Sequence, residues 1–87
     1  MADDQLHLDL VTPAGSVFEG EIKRIRVPGT SGSFEVLRQH APIVSTLEEG
    51  RIDFEKADGT RVEYSVSGGV IEVLDNKVVL LAEAIGE

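Results

Sequence analysis

Cysteine is absent from this 87-residue chain, and basic residues are few. Without cysteine there is neither a disulfide to staple the fold nor a thiolate to bind zinc, so disulfide scaffolds and zinc knuckles are excluded. Eight Lys and Arg stand against sixteen Asp and Glu, which gives a formal net charge of −8. Because such a surface repels polyanions, we expect no nucleic-acid partner and no direct insertion into lipid.

Long apolar runs are also missing. No stretch approaches the length of a membrane span, and the first residues, MADDQLHLDLV, have neither the basic end nor the unbroken apolar segment of a signal peptide. We therefore expect a soluble, cytosolic chain.

Histidine is scarce, since His7 and His40 are the only two. Neither lies in a segment with a helical period that would place metal ligands on one face, so we predict no metal site and no cofactor. A small hydrolase that uses His40 with Ser45 is an alternative, but the sequence lacks the strand-turn-helix elbow that presents a serine nucleophile. We interpret His40, which precedes Ala41 and Pro42, as a residue that hydrogen-bonds the loop backbone.

The chain does have short alternating segments. Leu6, Leu8 and Leu10 alternate with polar residues, and an Asp58-Gly59 hairpin signal lies between two further alternating segments. No segment shows a capped helical period. About eight to ten short strands between turn signals predict an all-β fold, a flattened antiparallel β-sandwich or barrel. We expect one domain over residues 1–87.

The segment at residues 21–30 carries three expectations. Val27-Pro28-Gly29-Thr30 has proline and glycine at its centre, which predicts a type II turn. Ile22 and Ile25 fall on opposite faces of a strict alternation, so either a bulge intervenes or both faces are covered. The segment also holds a basic cluster, either a solvated face or a site for an acidic partner: Lys23, Arg24 and Arg26.

The last hairpin organises the rest of the chain. Two mainly aliphatic runs, residues 70–74 and 77–82, flank Asp75 and Asn76, which tolerate the positive φ of a tight turn. The two-residue turn fixes a register that makes one face wholly apolar and therefore core. The opposite face mixes apolar and charged residues, so it needs cover from another molecule or from this chain. The predicted core residues are Ile71, Val73, Val78 and Leu80.

Five motifs follow one another along nearly the whole chain: Thr12-Pro13, Val27-Pro28-Gly29 with Gly32, His40-Ala41-Pro42, Leu47 with Gly50, and Ser67-Gly68-Gly69 with Glu72-Val73 and Asn76. In this order they resemble the N-terminal β-sandwich domain of the epsilon subunit of F-type ATP synthases. The chain departs from the family pattern at Glu35, usually glycine, and at Arg38-Gln39, usually Pro-Gly. It stops at Glu87, before the family's C-terminal helical hairpin, which we therefore expect to be absent.

The resemblance implies a non-catalytic central-stalk subunit, a rotor part that links the gamma subunit to the c-ring. Such a subunit couples proton translocation to ATP synthesis and hydrolysis. It would be peripheral, on the cytoplasmic side of the inner membrane, with a plastid thylakoid as the alternative. We expect one copy per complex, and a monomeric or weakly associating chain in isolation. Because the family's inhibition of hydrolysis is ascribed to the helical hairpin, we expect coupling without inhibition.

By the same resemblance, two loops are candidate contacts with the c-ring and one hairpin face is the candidate contact with gamma. The c-ring candidates are Gly29, Thr30, Ser31, Gly32, Ser33, Arg38, Gln39 and His40. The gamma candidates are Val70, Glu72, Leu74, Val79 and Leu81.

A carrier domain of the lipoyl or biotinyl type is an alternative, since it too is a small acidic β-sandwich with a modified lysine at a hairpin tip. Lys77 follows the last turn. Its neighbours Asn76 and Val78 do not form the Met-Lys-Met or Asp-Lys-Ala context that such carriers need.

Overall fold

The computed structural model describes residues 5–86. Residues 1–4 and 87 lie outside it. They include the first four residues of the MADDQLHLDLV segment and both ends of the expected domain. Within this range there is no helix long and apolar enough to cross a membrane. The predicted all-β class is confirmed by nine strands: β1 (Leu6–Thr12), β2 (Gly15–Gly29), β3 (Gly32–Val36), β4 (Ile43–Leu47), β5 (Gly50–Lys56), β6 (Arg61–Val66), β7 (Gly69–Leu74), β8 (Lys77–Ala82) and β9 (Ile85–Gly86).

The strand β2 pairs with four other strands, β1, β3, β4 and β5. Its first part pairs with β1 and its later part with β5 and β3, so residues 17–18 and 21–27, which look like separate segments in the sequence, form one strand of 15 residues. The β5 register shifts between Ile22 and Arg24, which is a bulge. Ile22 and Ile25 are consequently both buried. The bulge is thus the correct alternative of the two.

The last hairpin forms in the predicted register, with φ of 52° and 64° at Asp75 and Asn76. Its neighbours come from distant parts of the chain: β4 runs antiparallel beside β7, and β1 runs parallel beside β8. Among the described residues, β1 and β8 form a parallel pair, and the other strand pairs of the sheet are antiparallel. The predicted core face is confirmed, with at most 1% exposure at each residue: Ile71, Val73, Val78 and Leu80.

The predicted type II turn at residues 27–30 is wrong. Gly29 lies within β2, opposite Gly32 of β3 on one side and Leu47 of β4 on the other, and it lacks the positive φ that such a turn requires. The chain reverses at residues 30–31 instead. Pairing with strands on both sides keeps Gly29 extended, and a four-residue motif contains no information about those strands.

Candidate interaction surfaces

The outward face of the last hairpin, here called the outer hairpin face, consists of the five gamma candidates. Val70 is 37% exposed, and Leu74 and Leu81 are each 51% exposed. Val79 is half-buried and Glu72 is exposed. The described part of the chain therefore leaves much of this apolar face uncovered, which favours cover by another molecule.

Neighbouring strands enlarge the outer hairpin face. Val44 of β4, 70% exposed, lies opposite Glu72, and half-buried Val11 of β1 lies opposite Leu81. Sequence reasoning missed both residues because it could not place β4 and β1 beside the hairpin. A signal for Val44 was present: adjacent residues of a strand point to opposite faces, so one of Ile43 and Val44 had to face outward.

A groove of about 610 Å³ crosses the outer hairpin face near the β1–β2 turn. Its lining includes the apolar side chains of Val11, Val70 and Leu81, and its charged residue is Glu83. Gly69 also lies in the groove, where a Cβ would collide with the carbonyl oxygen of Leu81. This shape suits an apolar side chain of a partner better than a flat surface would.

The structure brings the two candidate c-ring loops together. The tip loop, residues 29–33, and the proline loop, residues 38–42, line one groove of about 460 Å³ to which they contribute Ser31, Gly32, Ser33 and His40. Arg38 and Gln39 are exposed but do not line it. Val44 belongs to the same groove, so the loops adjoin the outer hairpin face.

The tip loop is tied to β4. The amide of Thr30 donates to the carbonyl oxygen of Thr46 over 3.1 Å, and the two threonine hydroxyl oxygens are 2.9 Å apart. Gly29 lies beside Leu47 in the ladder. These bonds give a polar loop a defined position at the edge of the sheet.

The proline loop is held partly by its own backbone. The amide of His40 donates to the carbonyl oxygen of Leu37 over 3.2 Å, and His40 Nδ1 lies 2.7 Å from the carbonyl oxygen of Ala41. The interpretation of His40 as a loop-fixing residue is therefore confirmed. Gln39 has a φ of 63°, and its backbone amide donates to Asn76 Oδ1 over 2.6 Å.

The geometry gives little support to the hydrolase alternative. His40 and Ser45 line the same groove, but the Ser45 hydroxyl donates to the carbonyl oxygen of Thr46 and His40 Nδ1 contacts its own loop. Among residues 5–86, no three or more His, Cys, Asp and Glu side chains are placed to hold a metal ion.

The carrier alternative fits no better. Lys77 is exposed, but it lies in β8 with Leu74 on one side and His7 on the other. The tip itself consists of Asp75 and Asn76. A carrier lysine would need a position at that tip.

The strands β2 and β5 form a charged surface, here called the charged side, on which several charges are paired within the chain. Arg24, with only 18% of its side chain exposed, donates from Nη1 to Asp53 Oδ1 over 2.5 Å, and its Nε lies 3.7 Å from a Glu55 oxygen. The hydrogen bond to Asp53 raises the pKa of Arg24. Lys23 lies 3.9 Å from Glu55. Two of the three residues in the basic cluster thus face carboxylates of their own chain, which argues against an acidic partner there.

A model of the ATP synthase delta/epsilon chain β-sandwich domain matches residues 5–87. The ATP synthase epsilon chain of Campylobacter jejuni subsp. doylei is 40% identical over 80 residues, which are 92% of this chain and 62% of the relative. That of Chlorobaculum tepidum is 37% identical over 84 residues, which are 97% of this chain and 96% of the relative. This chain thus spans about three-fifths of the length of the Campylobacter relative.

Solved structures show the same fold. A chain of the Euglena gracilis mitochondrial ATP synthase, in an OSCP/F1/c-ring assembly, superposes with a TM-score of 0.89 at 23% identity, covering 98% of this chain and 54% of that one. A chain of the Tetrahymena thermophila mitochondrial ATP synthase, in a central stalk and c-ring assembly, gives 0.81 at 16% identity, covering 100% and 69%.

Proposed function

Because this chain belongs to the delta/epsilon family of ATP synthase subunits, we propose that it is the non-catalytic central-stalk subunit that links gamma to the c-ring. In this role it couples proton transport to ATP synthesis and hydrolysis, as one copy per complex on the cytoplasmic side of the inner membrane. The observation that carries the proposal is the outer hairpin face, where apolar side chains on paired strands are 37% to 51% exposed.

Gamma occupies the outer hairpin face in this proposal. Val70, Leu74 and Leu81 are large apolar side chains that a partner would remove from water, and Val44 extends the patch. The groove beside Leu81 supplies a pocket for one anchoring side chain. The charged side of the sandwich is a poorer candidate because its ion pairs are already made, and a partner would have to desolvate them.

The c-ring contacts the tip loop and the proline loop in this proposal. Both loops are polar. The tip loop is bonded to β4 through Thr30 and Thr46, and the proline loop is bonded to the hairpin turn through Gln39 and Asn76. Preorganised loops lose little conformational entropy when they bind. Since they adjoin the outer hairpin face at Val44, one compact element presents both surfaces.

The proposal is tested with Leu81→Asp and a matched control, Leu37→Asp. Leu81 and Leu37 are almost equally exposed, at 51% and 53%, but Leu37 follows β3 and is not one of the residues that form the outer hairpin face. A carboxylate at Leu81 would be buried without a partner in the gamma interface, which costs binding strongly. We expect both variants to fold, Leu81→Asp to lose co-purification with gamma, and Leu37→Asp to keep it. Retained gamma binding by a folded Leu81→Asp variant would refute this assignment.

The coupling role has its own test in membranes that carry the complete enzyme. We expect ATP-driven proton pumping to fall when this subunit is left out and to return when the wild-type chain is added back. Leu81→Asp should not restore it. Full pumping without the subunit would contradict the coupling role itself.

A further inference from the structure

Asn76 connects three segments that are distant in sequence. It is the second residue of the β7–β8 turn, with a φ of 64°. Its backbone carbonyl oxygen accepts the amide of His7 over 2.9 Å, and its side-chain Oδ1 accepts the amide of Gln39 over 2.6 Å. The turn, the start of β1 and the proline loop therefore meet at one residue.

The bond to Gln39 ties the middle of the proline loop to the hairpin turn, whereas the end of the loop is held by the β4–β7 ladder that begins at Ile43. The other hydrogen bonds of residues 38–40 in the described part of the chain stay local, from the amide of His40 to Leu37 and from its ring to Ala41. Gln39 has a φ of 63°, a conformation that a side-chain-bearing residue adopts only when its surroundings hold it there. The Asn76 acceptor supplies that constraint.

Asparagine suits both tasks at this position. It tolerates positive φ better than most residues, and its amide oxygen can accept a hydrogen bond while its backbone completes the turn. Asp75, beside it in the same turn with a φ of 52°, is exposed and has no side-chain hydrogen bond among the bonds of residues 5–86. The two turn residues therefore differ in the bond to the loop rather than in backbone conformation.

We propose that Asn76 is a positioning residue that locks the proline loop to the outer hairpin face, so that the two partner surfaces move as one rigid body. This inference rests on the function proposed above, in which those surfaces bind the c-ring and gamma. A subunit that transmits rotation between two partners must keep a constant geometry between the two surfaces that contact them. A loop released from Asn76 would absorb part of the displacement that the hairpin has to transmit.

Three variants distinguish loss of the Gln39–Asn76 hydrogen bond from a change in the conformation of the β7–β8 turn. Asn76→Gly keeps a residue that favours positive φ but deletes the acceptor. Asn76→Asp keeps an oxygen acceptor at the same place. Asp75→Gly is the matched control, because it makes the same kind of change one residue away without removing a bond to the loop.

The first measurement is the hydrogen-exchange rate of the backbone amide of Gln39 in the isolated chain. Loss of one hydrogen bond should speed that exchange about two- to twelvefold in Asn76→Gly. Asn76→Asp and Asp75→Gly should exchange at the wild-type rate. Unchanged exchange in Asn76→Gly would overturn the inference before any partner is involved.

The second measurement is the ratio of protons pumped to ATP hydrolysed by the complete enzyme. We expect Asn76→Gly to lower this ratio while gamma still co-purifies, Asn76→Asp to rescue it, and Asp75→Gly to leave it unchanged. A wild-type ratio in Asn76→Gly refutes the positioning role alone. If the wild-type chain itself neither binds gamma nor supports pumping, the proposed function fails and this inference with it, whatever the exchange rates are.

Discussion

Gly69 shows how a single residue controls the spacing of strands in the outer hairpin face. Its φ is 154°, and a Cβ there would collide with the carbonyl oxygen of Leu81 and lie 3.0 Å from the Cα of Ala82. Gly69 pairs with Leu47 on one side and Ala82 on the other, so β4, β7 and β8 all depend on it. A side chain at this position would push the strands apart where the candidate gamma surface is built.

We predict that Gly69→Ala destabilises the chain far more than Gly15→Ala. Both glycines have positive φ, at 154° and 131°, so both variants incur backbone strain of about 1–3 kcal/mol. Gly15 has no atom within 4 Å of an added Cβ, whereas Gly69 adds a steric clash. The measurement is the free energy of unfolding in denaturant. Equal losses for the two variants would mean that the β7–β8 spacing relaxes easily.

We also predict that Ile71→Ala destabilises the chain by about 2–5 kcal/mol, because it leaves a cavity in the core. Ile71 is 0% exposed and Val44, on the neighbouring strand β4, is 70% exposed. Val44→Ala, the control, should change stability by less than about 0.5 kcal/mol. A denaturant midpoint that does not move in Ile71→Ala would show that this position is not part of the packed core.

At the scale of elements, the β5–β6 hairpin is stabilised by its own turn. The amide of Thr60 donates to Asp58 Oδ1 over 2.9 Å, and the amide of Gly59, whose φ is 93°, donates to the carbonyl oxygen of Lys56 over 2.9 Å. The hydrogen bonds from Thr60 lower the pKa of Asp58 below its ordinary 3.8. The ionised carboxylate is therefore bound more strongly in the folded state than in the unfolded state.

We predict that this turn makes stability depend on pH. Since the folded pKa of Asp58 is lowered, its contribution is present above pH 3.8 and is lost as the pH falls through the folded pKa. Asp58→Ala should thus be less stable than wild type near neutral pH, and the difference should vanish in acid. Asp58→Asn should lose less, because its amide oxygen still accepts from Thr60, and neither variant should titrate at this position. A difference that persists in strong acid would contradict this account.

At the scale of the whole molecule, two surface regions differ in character. One carries the exposed apolar residues of the outer hairpin face, and the other carries ion pairs such as that between Arg24 and Asp53. The net charge of −8 opposes association of two copies, while the apolar side favours it. The balance of these two effects predicts a chain that stays monomeric or associates weakly until it meets its partner.

We predict that salt shifts this balance towards association. Raising the ionic strength from about 0.01 M to 1 M shortens the Debye length from about 30 Å to 3 Å and so screens the mutual repulsion. Sedimentation should show a monomer at low salt and partial dimerisation at high salt. Leu81→Asp should remain monomeric in both, because it disrupts the apolar side, whereas Leu37→Asp should behave as wild type. Salt-dependent dimers of Leu81→Asp would place the contact elsewhere.

The sequence by itself determined what depends on neighbouring residues. Asp75 and Asn76 set the turn of the last hairpin, and a tight turn determines the register on both sides of it, which is why the core at Ile71 and Leu80 was predictable. The conflict between Ile22 and Ile25 indicated the bulge in the same way. Resemblance to a family identified the function class and the candidate loops, because the order of short motifs is also a property of the sequence.

Only the tertiary structure decided which distant segments meet. The sequence gives no sign that β1 lies parallel to β8 or that β4 flanks β7, so Val44 was absent from the predicted surface. The Pro28-Gly29 motif predicts a turn because it contains no sign of the strand partners Gly32 and Leu47. The bond from Gln39 to Asn76 spans 37 residues. Such contacts depend on how the whole sheet closes, since local preferences set each strand and turn but not the neighbours against which they pack.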